Sequence, residues 1–351
     1  MNCGKRIPRL NTQILLFVVF ITLGLFLFEI LQNSWAWIAP LVLLAVQLVI
    51  VFYSNKIIGR IADWHITEEN PTIHLLEYRL PLEQQKSFRQ TYTKGQLIEM
   101  KREMYEQAIS RRGEIDCETA QKVLGKYGFE CKPENLVTKK VNVYQLVKKV
   151  VDKFGFPTPE IVVSNTLMPN ASASGVSPSR GVVLITTSLL VQLDEEEITS
   201  VLGHEFGHLK GRDPLLLFGL TGAEFLFRFY VLLPFFPIIF ESLLLFFLYF
   251  WAVMTLIYFI AKFFEARADL ISAMVIGQPK ILAKSLEKIG FRRLLLERMP
   301  LNRFQEWISL DPHPPIYFRV QRLDKLEEPA QVKHPLLKSA REVVAGFLAS
   351  F

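Results

Sequence analysis

The stretch Asp194–Pro214 reads DEEEITSVLGHEFGHLKGRDP, and it decides the fold because residues 204–208 form the pattern H-E-x-x-H. On a helix, residues four apart share one face, so His204 and His208 can bind the same metal ion. Glu205 follows the first histidine and can act on water that the metal activates. The pattern therefore predicts zinc-assisted hydrolysis, most often of peptide bonds.

The residues around this pattern predict a helix that begins and ends close to it. Asp194 and Glu197 have the spacing of a capping box, which starts a helix. Gly211 can end the helix, Asp213 can cap the next one, and Pro214 suits its first turn. The alternative is a surface helix with two unrelated histidines. The chain has six histidines, so a chance match is rare.

Composition points to a membrane protein. Of 351 residues half are hydrophobic, 28 are Phe, and the mean hydropathy is +0.26. Four apolar runs are long enough to cross a bilayer, at residues 12–31, 35–53, 214–233 and 242–260. A second full run follows the first at once, which disfavours a cleaved signal peptide. The sequence predicts a mainly α membrane protein with four transmembrane helices in two hairpins.

Basic residues flank both hairpins on one side. They are Lys5, Arg6, Arg9, Lys56, Arg60, Lys210, Arg212, Lys262 and Arg267. The positive-inside rule then places both ends of each hairpin in the cytoplasm. The net charge of +6 fits a surface beside anionic lipid, and no nucleic-acid motif accompanies it. Cys3, Cys117 and Cys131 form no CxxC pair, so we expect reduced thiols.

The chain divides into six segments along this plan. Short strands are expected at residues 160–164, 170–176 and 181–186, so the soluble part combines helices with a small β-sheet. The segments are a cytoplasmic N-terminus (1–11), hairpin 1 (12–53), a helical cytoplasmic region of unknown role (54–142), the first part of a protease domain (143–213), hairpin 2 (214–260) and its second part (261–351).

A catalytic zinc site usually has three protein ligands, so the two histidines need a partner. Glu265 is the candidate, because hairpin 2 returns the chain to the level at which the motif helix ends. Asp269 lies one turn further on the same face, where it can accept a hydrogen bond from a ligating histidine. The alternative for Glu265 is a juxtamembrane carboxylate paired with Arg267 or Lys262.

Four stretches together resemble one family of membrane proteases. They are Pro169–Gly175 (PNASASG), the H-E-x-x-H pattern, Glu265 with Asp269, and His313-Pro314-Pro315 followed by Arg319. The chain is similar to the HtpX heat-shock protease and CAAX prenyl protease family of zinc metallopeptidases, and closer to its HtpX side. The resemblance covers about residues 143–323 and the first hairpin. It implies a gluzincin-like metalloprotease domain.

The resemblance also implies roles for residues beyond the metal ligands. The strand Asn170, Ala171, Ser172 and Ala173 would bind an extended substrate by main-chain hydrogen bonds. The alternative is a plain structural hairpin. The family often has Phe where this chain has Ser172, which bears on the shape of the substrate cleft. His313 or Arg319 would stabilise the oxyanion. Their alternatives are a helix-capping histidine and a surface arginine.

The predicted function is a membrane-anchored zinc endopeptidase with one Zn²⁺ per chain. It would cleave cytoplasmic segments of membrane or misfolded proteins, at the cytoplasmic side of a cell membrane (inner or plasma membrane). Rival readings are a CAAX-type processing protease, an intramembrane protease and a non-catalytic scaffold with a relic zinc site. Charged residues flank the motif helix, which argues against the intramembrane type. The sequence leaves open the oligomeric state, the natural substrate and the role of Glu224 and Arg228.

Overall fold

The computed structural model describes residues 37–350 apart from 79–89, 94, 98, 101, 105–116, 129, 298 and 328–331. The predicted segment 1–11 and the predicted span at 12–31 lie outside the described residues. The chain divides into two compact units. Unit 1 contains the described residues up to Phe52 together with Phe218–Phe250. Unit 2 contains Tyr53–Leu217 and Trp251–Phe351.

Apolar helices form unit 1. Two helical stretches are long and apolar enough to cross a membrane, Asp213–Phe235 and Leu243–Ile276, and both extend into unit 2. They include the predicted spans of hairpin 2. The predicted span at 35–53 differs, because helix Ala39–Phe52 has only 14 residues and meets the next helix at a bend of 52°. The described residues therefore contain two candidate spans, or three if the bent pair counts as one. The chain is a multi-pass membrane protein, and the count of four spans stays a prediction.

The helices are numbered here in chain order. Two short helical turns, Leu233–Phe235 and Ile238–Glu241, and a π-helical turn, Arg228–Leu232, lie between α7 and α8. The helices are α1 (Ala39–Phe52), α2 (Ser54–Ile61), α3 (Cys117–Leu124), α4 (Val143–Phe154), α5 (Thr187–Gln192), α6 (Glu195–Gly211), α7 (Asp213–Phe227), α8 (Leu243–Ile276), α9 (Pro279–Leu296), α10 (Pro300–Ile308), α11 (Ile316–Asp324) and α12 (Pro335–Leu348).

Unit 2 contains a four-stranded mixed sheet and a separate two-stranded one. The strands are β1 (Trp64–Ile66), β2 (Thr72–Tyr78), β3 (Leu136–Asn142), β4 (Glu160–Ser164), β5 (Ala171–Ser174) and β6 (Val182–Thr186). The larger sheet has the order β1-β4-β6-β5, in which β4 and β6 run parallel and the other neighbours antiparallel. Strands β2 and β3 form the smaller sheet. The region 54–142 thus contains three strands as well as helices, which its sequence did not predict.

Strand β5 lies at an edge of the larger sheet. It pairs antiparallel with β6, and the described residues supply no strand on its other side. Thr186 N–H donates to Asn170 O at 3.0 Å, which makes these two residues a hydrogen-bonded pair. In an antiparallel ladder such pairs alternate, so the backbone groups of Ala171 and Ala173 point away from β6. The open edge therefore presents these two residues.

Helix α6 forms because its N-terminus is satisfied by side chains and its interior packs well. The capping box is complete, since Asp194 accepts from Glu197 N–H and Glu197 accepts from Asp194 N–H. The buried Glu197 carboxylate also lies 2.6 Å from Lys288 Nζ of α9. The helix ends where Arg212 takes a left-handed φ of 54°. The predicted start and end of the motif helix are confirmed.

Two glycines let α6 approach α8 closely. A Cβ on Gly207 would lie 3.0 Å from the Cα and the carbonyl oxygen of Ala268. A Cβ on Gly203 would lie 2.7 Å from Ser272 Oγ, and that hydroxyl donates to Ser200 O at 2.9 Å. Side chains larger than hydrogen would push the two helices apart. This contact sets the distance between the motif helix and the helix that carries Glu265.

Two apolar clusters hold the helices of unit 2 in place. The larger one joins the sheet to α4, α5, α6, α9, α11 and the end of α8. The smaller one centres on Ala266 of α8, the fully buried Trp307 of α10 and Val343 of α12. Phe259 and Phe347 pack at its rim with ring centroids 5.3 Å apart. Both clusters therefore include α8, so that helix has packing partners on several sides.

Cys117 and Cys131 form a disulfide, with their Cα atoms 5.6 Å apart. The expectation of reduced thiols is therefore wrong for this pair. The two residues are 14 positions apart and belong to no CxxC pattern. They meet because the chain reverses after α3, at Gly128 with φ of 74°. A pairing of this kind depends on the folded path of the chain and is not readable from the spacing.

Candidate metal centre

Three donor atoms from two helices converge on one point. His204 and His208 lie on α6, and their Nε2 atoms are 3.2 Å apart. Glu265 lies on α8, and its two carboxylate oxygens are 3.4 Å from His204 Nε2 and 3.3 Å from His208 Nε2. His204 and Glu265 are buried, and His208 is partly buried. The structure brings together the three residues that the sequence proposes as ligands.

The spacing of these donors fits a tetrahedral zinc ion. Zinc bonds to His and carboxylate of about 2.0–2.1 Å give a donor-to-donor distance of about 3.3–3.4 Å in a tetrahedron. The three observed distances, 3.2–3.4 Å, agree with that value. In addition, Glu265 Oε2 is fully buried and has no hydrogen-bond partner in the described structure. An orphaned carboxylate oxygen is costly to bury, and a bound cation would compensate it.

The other ring nitrogen of His204 contacts a carboxylate. His204 Nδ1 is 2.8 Å from Asp269 Oδ1. Arg319 holds that carboxylate with two bonds, from Nε at 2.8 Å and from Nη2 at 2.7 Å. Asp269 and Arg319 are both buried. A carboxylate on Nδ1 fixes the proton there and turns Nε2 towards the metal position.

His208 has a matching carboxylate that sequence reasoning missed. Its Nδ1 is 2.7 Å from Asp213 Oδ2, and Arg267 contacts the other oxygen of that carboxylate. The left-handed turn at Arg212 brings Asp213 back to His208. A Cβ on Gly211 would collide with the Arg267 guanidinium. The sequence suggested Asp213 only as a helix cap; a carboxylate five residues after the second histidine, just past the helix end, was the available signal.

The electrostatics of the centre favour a cation. Burial lowers the pKa of His204, but the carboxylates of Asp269 and Glu265 outweigh it, so the pKa is raised. The pKa of His208 is raised for the same reason, chiefly by Glu265. The carboxylates of Glu265, Asp269 and Asp213 outnumber the two guanidinium groups beside them, those of Arg319 and Arg267, so the buried centre has an excess of negative charge that a cation would offset.

Glu205 faces the edge strand. Its Oε2 accepts the backbone N–H of Ala173 at 3.0 Å. The residue is partly buried and lies beside the histidines on α6. Asn170 is held at the start of the strand by Thr186, to which its N–H donates at 2.8 Å. The candidate general base and the candidate substrate strand are thus in direct contact.

His313 and Arg319 reach the centre from the C-terminal part of unit 2. Arg319, on α11, has Nη1 3.8 Å from Glu265 Oε2. His313 lies in the loop before α11, with Nε2 3.7 Å from Glu265 Oε1 and 46% of its side chain exposed. Burial would lower the pKa of Arg319, but Asp269 and Glu265 raise it. The structure therefore brings both residues close to Glu265, and it brings Ala173 of the edge strand into contact with Glu205.

Several proteins similar to this chain are named as protease HtpX homologues. A protease HtpX homologue of Thermodesulfovibrio yellowstonii is 39% identical over 74 residues, which is 21% of this chain and 26% of that protein. Protease HtpX homologue 2 of Methanosarcina acetivorans is 31% identical over 173 residues, 45% of this chain and 57% of that protein. A protease HtpX homologue of Gemmatimonas aurantiaca is 26% identical over 224 residues, which is 52% of this chain and 75% of that protein. The chain thus spans about a quarter of the length of the first of these relatives.

A solved structure has a similar fold. The crystal structure of S. mikatae Ste24p matches with a TM-score of 0.52 and 16% sequence identity, covering 89% of this chain and 64% of that one. Identity this low shows a likeness of fold alone. The sequence model of Peptidase family M48 matches residues 138–327, more than half of the chain. That stretch contains the three donors and the carboxylates behind them. The chain belongs to peptidase family M48.

Proposed function

We propose that the chain is a membrane-anchored zinc endopeptidase that cleaves cytoplasmic segments of membrane or misfolded proteins. The observation that carries the proposal is the donor triangle of His204, His208 and Glu265, whose edges of 3.2–3.4 Å suit zinc. These three residues would hold one Zn²⁺ per chain. Asp269 and Asp213 would keep the two imidazoles in the binding orientation.

The chemistry divides between the ion and the protein. Zinc in such a site supplies Lewis-acid activation of water and of the scissile carbonyl. Glu205 takes the proton from the attacking water and returns it to the leaving amine. Its contact with Ala173 N–H keeps the carboxylate against the strand on which the substrate would lie. General acid–base catalysis thus takes place at the substrate strand.

Strand β5 supports binding of an extended polypeptide. The outward backbone groups of Ala171 and the carbonyl oxygen of Ala173 can pair with a substrate strand, while the Ala173 N–H is bonded to Glu205. Main-chain hydrogen bonds do not depend on the side chains of the substrate, so substrates of many sequences can bind. The side chains of Asn170 and Ser172 would then adjust the fit rather than select a single sequence. An unfolded or extended segment is the expected substrate.

His313 is the better placed of the two candidate oxyanion donors. Arg319 has Nε and Nη2 engaged by Asp269, which limits its freedom to move. His313 is half-exposed and has Nε2 directed to the donor triangle. A substrate carbonyl beside the metal could therefore meet the His313 ring without breaking an existing contact.

Basic residues support a cytoplasmic site at a cell membrane. Lys210 and Arg212 precede the candidate span Asp213–Phe235, and Lys262 and Arg267 lie in the part of α8 that belongs to unit 2. By the positive-inside rule this side faces the cytoplasm. We also propose that the protease domain is split along the sequence. Its two parts are residues 143–213 and 261–351, and the hairpin of residues 214–260 separates them.

The experiment compares the full chain with its Glu205→Gln variant in detergent micelles. We expect the wild type to digest casein and a chelator to stop it. Glu205→Gln should retain zinc and lose about 10²-fold or more of the rate, because a positioned proton-transfer group contributes about that much. Glu196→Gln, an exposed change on the same helix, is the matched control. Cleavage by Glu205→Gln at the wild-type rate would refute the proposal.

A further inference from the structure

The loop that carries His313 is fastened to the helix that carries Glu265. Lys262 lies on α8, one turn before Glu265, and is fully buried. Its Nζ donates to Ser309 O at 3.4 Å and also to Asp311 O. The backbone before His313 therefore has a set position relative to Glu265.

The side chain of Asp311 then determines where the His313 ring points. Asp311 Oδ1 accepts from the backbone N–H of His313 at 2.8 Å, and it lies 2.7 Å from His313 Nδ1. Asp311 Oδ2 accepts from Arg293 Nη1 at 2.8 Å. Since both oxygens act as acceptors in opposite directions, the carboxylate cannot turn without losing one partner.

Arg293 is itself held in place by two further carboxylates. Its Nε lies 3.3 Å from Glu297 Oε1, and its Nη2 contacts Glu306 at 2.5 Å. Glu297 also accepts the N–H groups of Ile316 and Tyr317, at 2.9 and 2.8 Å, and so caps α11. The chain from Glu297 through Arg293 to Asp311 connects the start of α11 with the loop before it.

His313 has little packing of its own to orient it. Nearly half of its side chain is exposed, so packing confines the ring only in part. The bond from Nδ1 to Asp311 leaves Nε2 on the opposite side of the ring, 3.7 Å from Glu265 Oε1. We propose that Asp311 is a positioning residue, which holds His313 with Nε2 directed at the reacting carbonyl. The proposal rests on the proposed function, and it adds a residue that is not in the four stretches on which the family resemblance was based.

The first test is a double-mutant cycle on casein cleavage with Asp311→Asn and His313→Ala. An asparagine has one acceptor oxygen, so it cannot serve Arg293 and His313 together. Asp311→Asn should lower kcat about 10-fold or more and change KM less than about 2-fold, since misplacing a catalytic group acts on the transition state. In the His313→Ala background the same change should have no further effect. Asp324→Asn, an exposed aspartate at the end of α11, is the control.

A merely structural role for Asp311 predicts additive effects in that cycle. If Asp311→Asn lowers kcat equally with and without His313, the positioning role is wrong. Zinc content and the thermal midpoint are measured on each variant, so that a folding defect is recognised. Should Asp311→Asn fail to fold, Asp311→Ser, which keeps an acceptor of smaller size, takes its place in the cycle.

The second test does not need peptidase activity. The chain labelled with ¹⁵N-histidine gives few ring signals, because it has six histidines. The signal of His313 is the one absent from His313→Ala. Asp311→Asn should shift the Nδ1 signal of His313, because an amide then replaces the charged carboxylate that accepts the Nδ1 proton in the wild type. An unchanged His313 signal overturns the proposal. If the signal changes but even the wild type does not cleave casein, the proposed function is wrong, whereas the orientation of His313 by Asp311 is supported.

Discussion

Replacing Gly207 with alanine tests whether the approach of α6 to α8 sets the metal centre. The new Cβ would lie 3.0 Å from Ala268 Cα and 3.0 Å from its carbonyl oxygen. Ordinary contacts between carbon atoms are about 3.5–4.0 Å, so the helices must separate by roughly 0.5–1 Å. Both neighbouring atoms belong to the backbone, so no side chain can turn aside. Glu265 lies one turn from Ala268 and moves with it.

The consequence for zinc follows from the donor distances. The histidine-to-Glu265 distances of 3.3–3.4 Å would widen to roughly 4 Å, beyond a tetrahedron with bonds of about 2.0–2.1 Å. We expect zinc affinity to fall about 10-fold or more, which is about 1.4 kcal/mol or more. Overpacking costs about 1–3 kcal/mol. Alanine offsets about 1 kcal/mol of this by its better helix propensity. The fold should therefore survive while the site weakens.

The assay is competition for zinc between the purified chain and a chromophoric chelator, with the thermal midpoint measured in parallel. Gly219→Ala is the matched control, because a Cβ there meets nothing within 4 Å. If Gly207→Ala binds zinc as tightly as Gly219→Ala does, the helix approach does not set the donor spacing. The argument from Gly207 would then be wrong.

Three further predictions concern Asp213, Asp311 and the disulfide. Asp213→Asn should lower zinc affinity about 10–100-fold, as loss of a carboxylate behind a ligating histidine does; chelator competition that gives the wild-type affinity contradicts it. Burial raises the pKa of Asp311, but His313 and Arg293 outweigh it, so the pKa is lowered. The charged carboxylate therefore stabilises the fold fully above about pH 4, and this stability is lost as the pH falls towards the lowered pKa. The thermal midpoint of Asp311→Asn should therefore fall less on acidification than that of the wild type. If both midpoints fall equally, the prediction is wrong. Reducing the bond between Cys117 and Cys131 should cost about 3 kcal/mol for a loop of roughly 15 residues, and a thermal midpoint unchanged by reductant would contradict that.

Much of the centre was predictable because its signals are local or periodic. The i, i+4 histidines and the capping box at Asp194 involve neighbours on one helix, so spacing alone reports their geometry. Glu265 could be predicted as the third ligand because a hairpin of two spans returns the chain to the side of the membrane on which it began. The capping box is confirmed, and the structure places Glu265 with the two histidines. The roles of His313, Arg319 and the edge strand stay predictions.

Other features had a weak local signal or none. Asp213 reads as a cap, and only the left-handed Arg212 turns its carboxylate to His208. The three strands within residues 54–142 pair with partners far along the chain, as β1 does with β4. The disulfide needs the reversal after α3. In each case the contact joins segments whose spacing in the sequence does not follow the repeat of a helix or a strand.

By itself the sequence predicted the metal chemistry proposed for this protein, since the spacing of His204, Glu205 and His208 needs only the one helix that carries them. It also determined that apolar helices anchor the chain in a membrane. Tertiary structure decided the rest. The close crossing at Gly207 brings Glu265 within 3.4 Å of both histidines, the fold gives each histidine its own carboxylate, and strand pairing places Ala173 against Glu205. These are contacts between distant segments, whose distances depend on how whole helices and strands pack together.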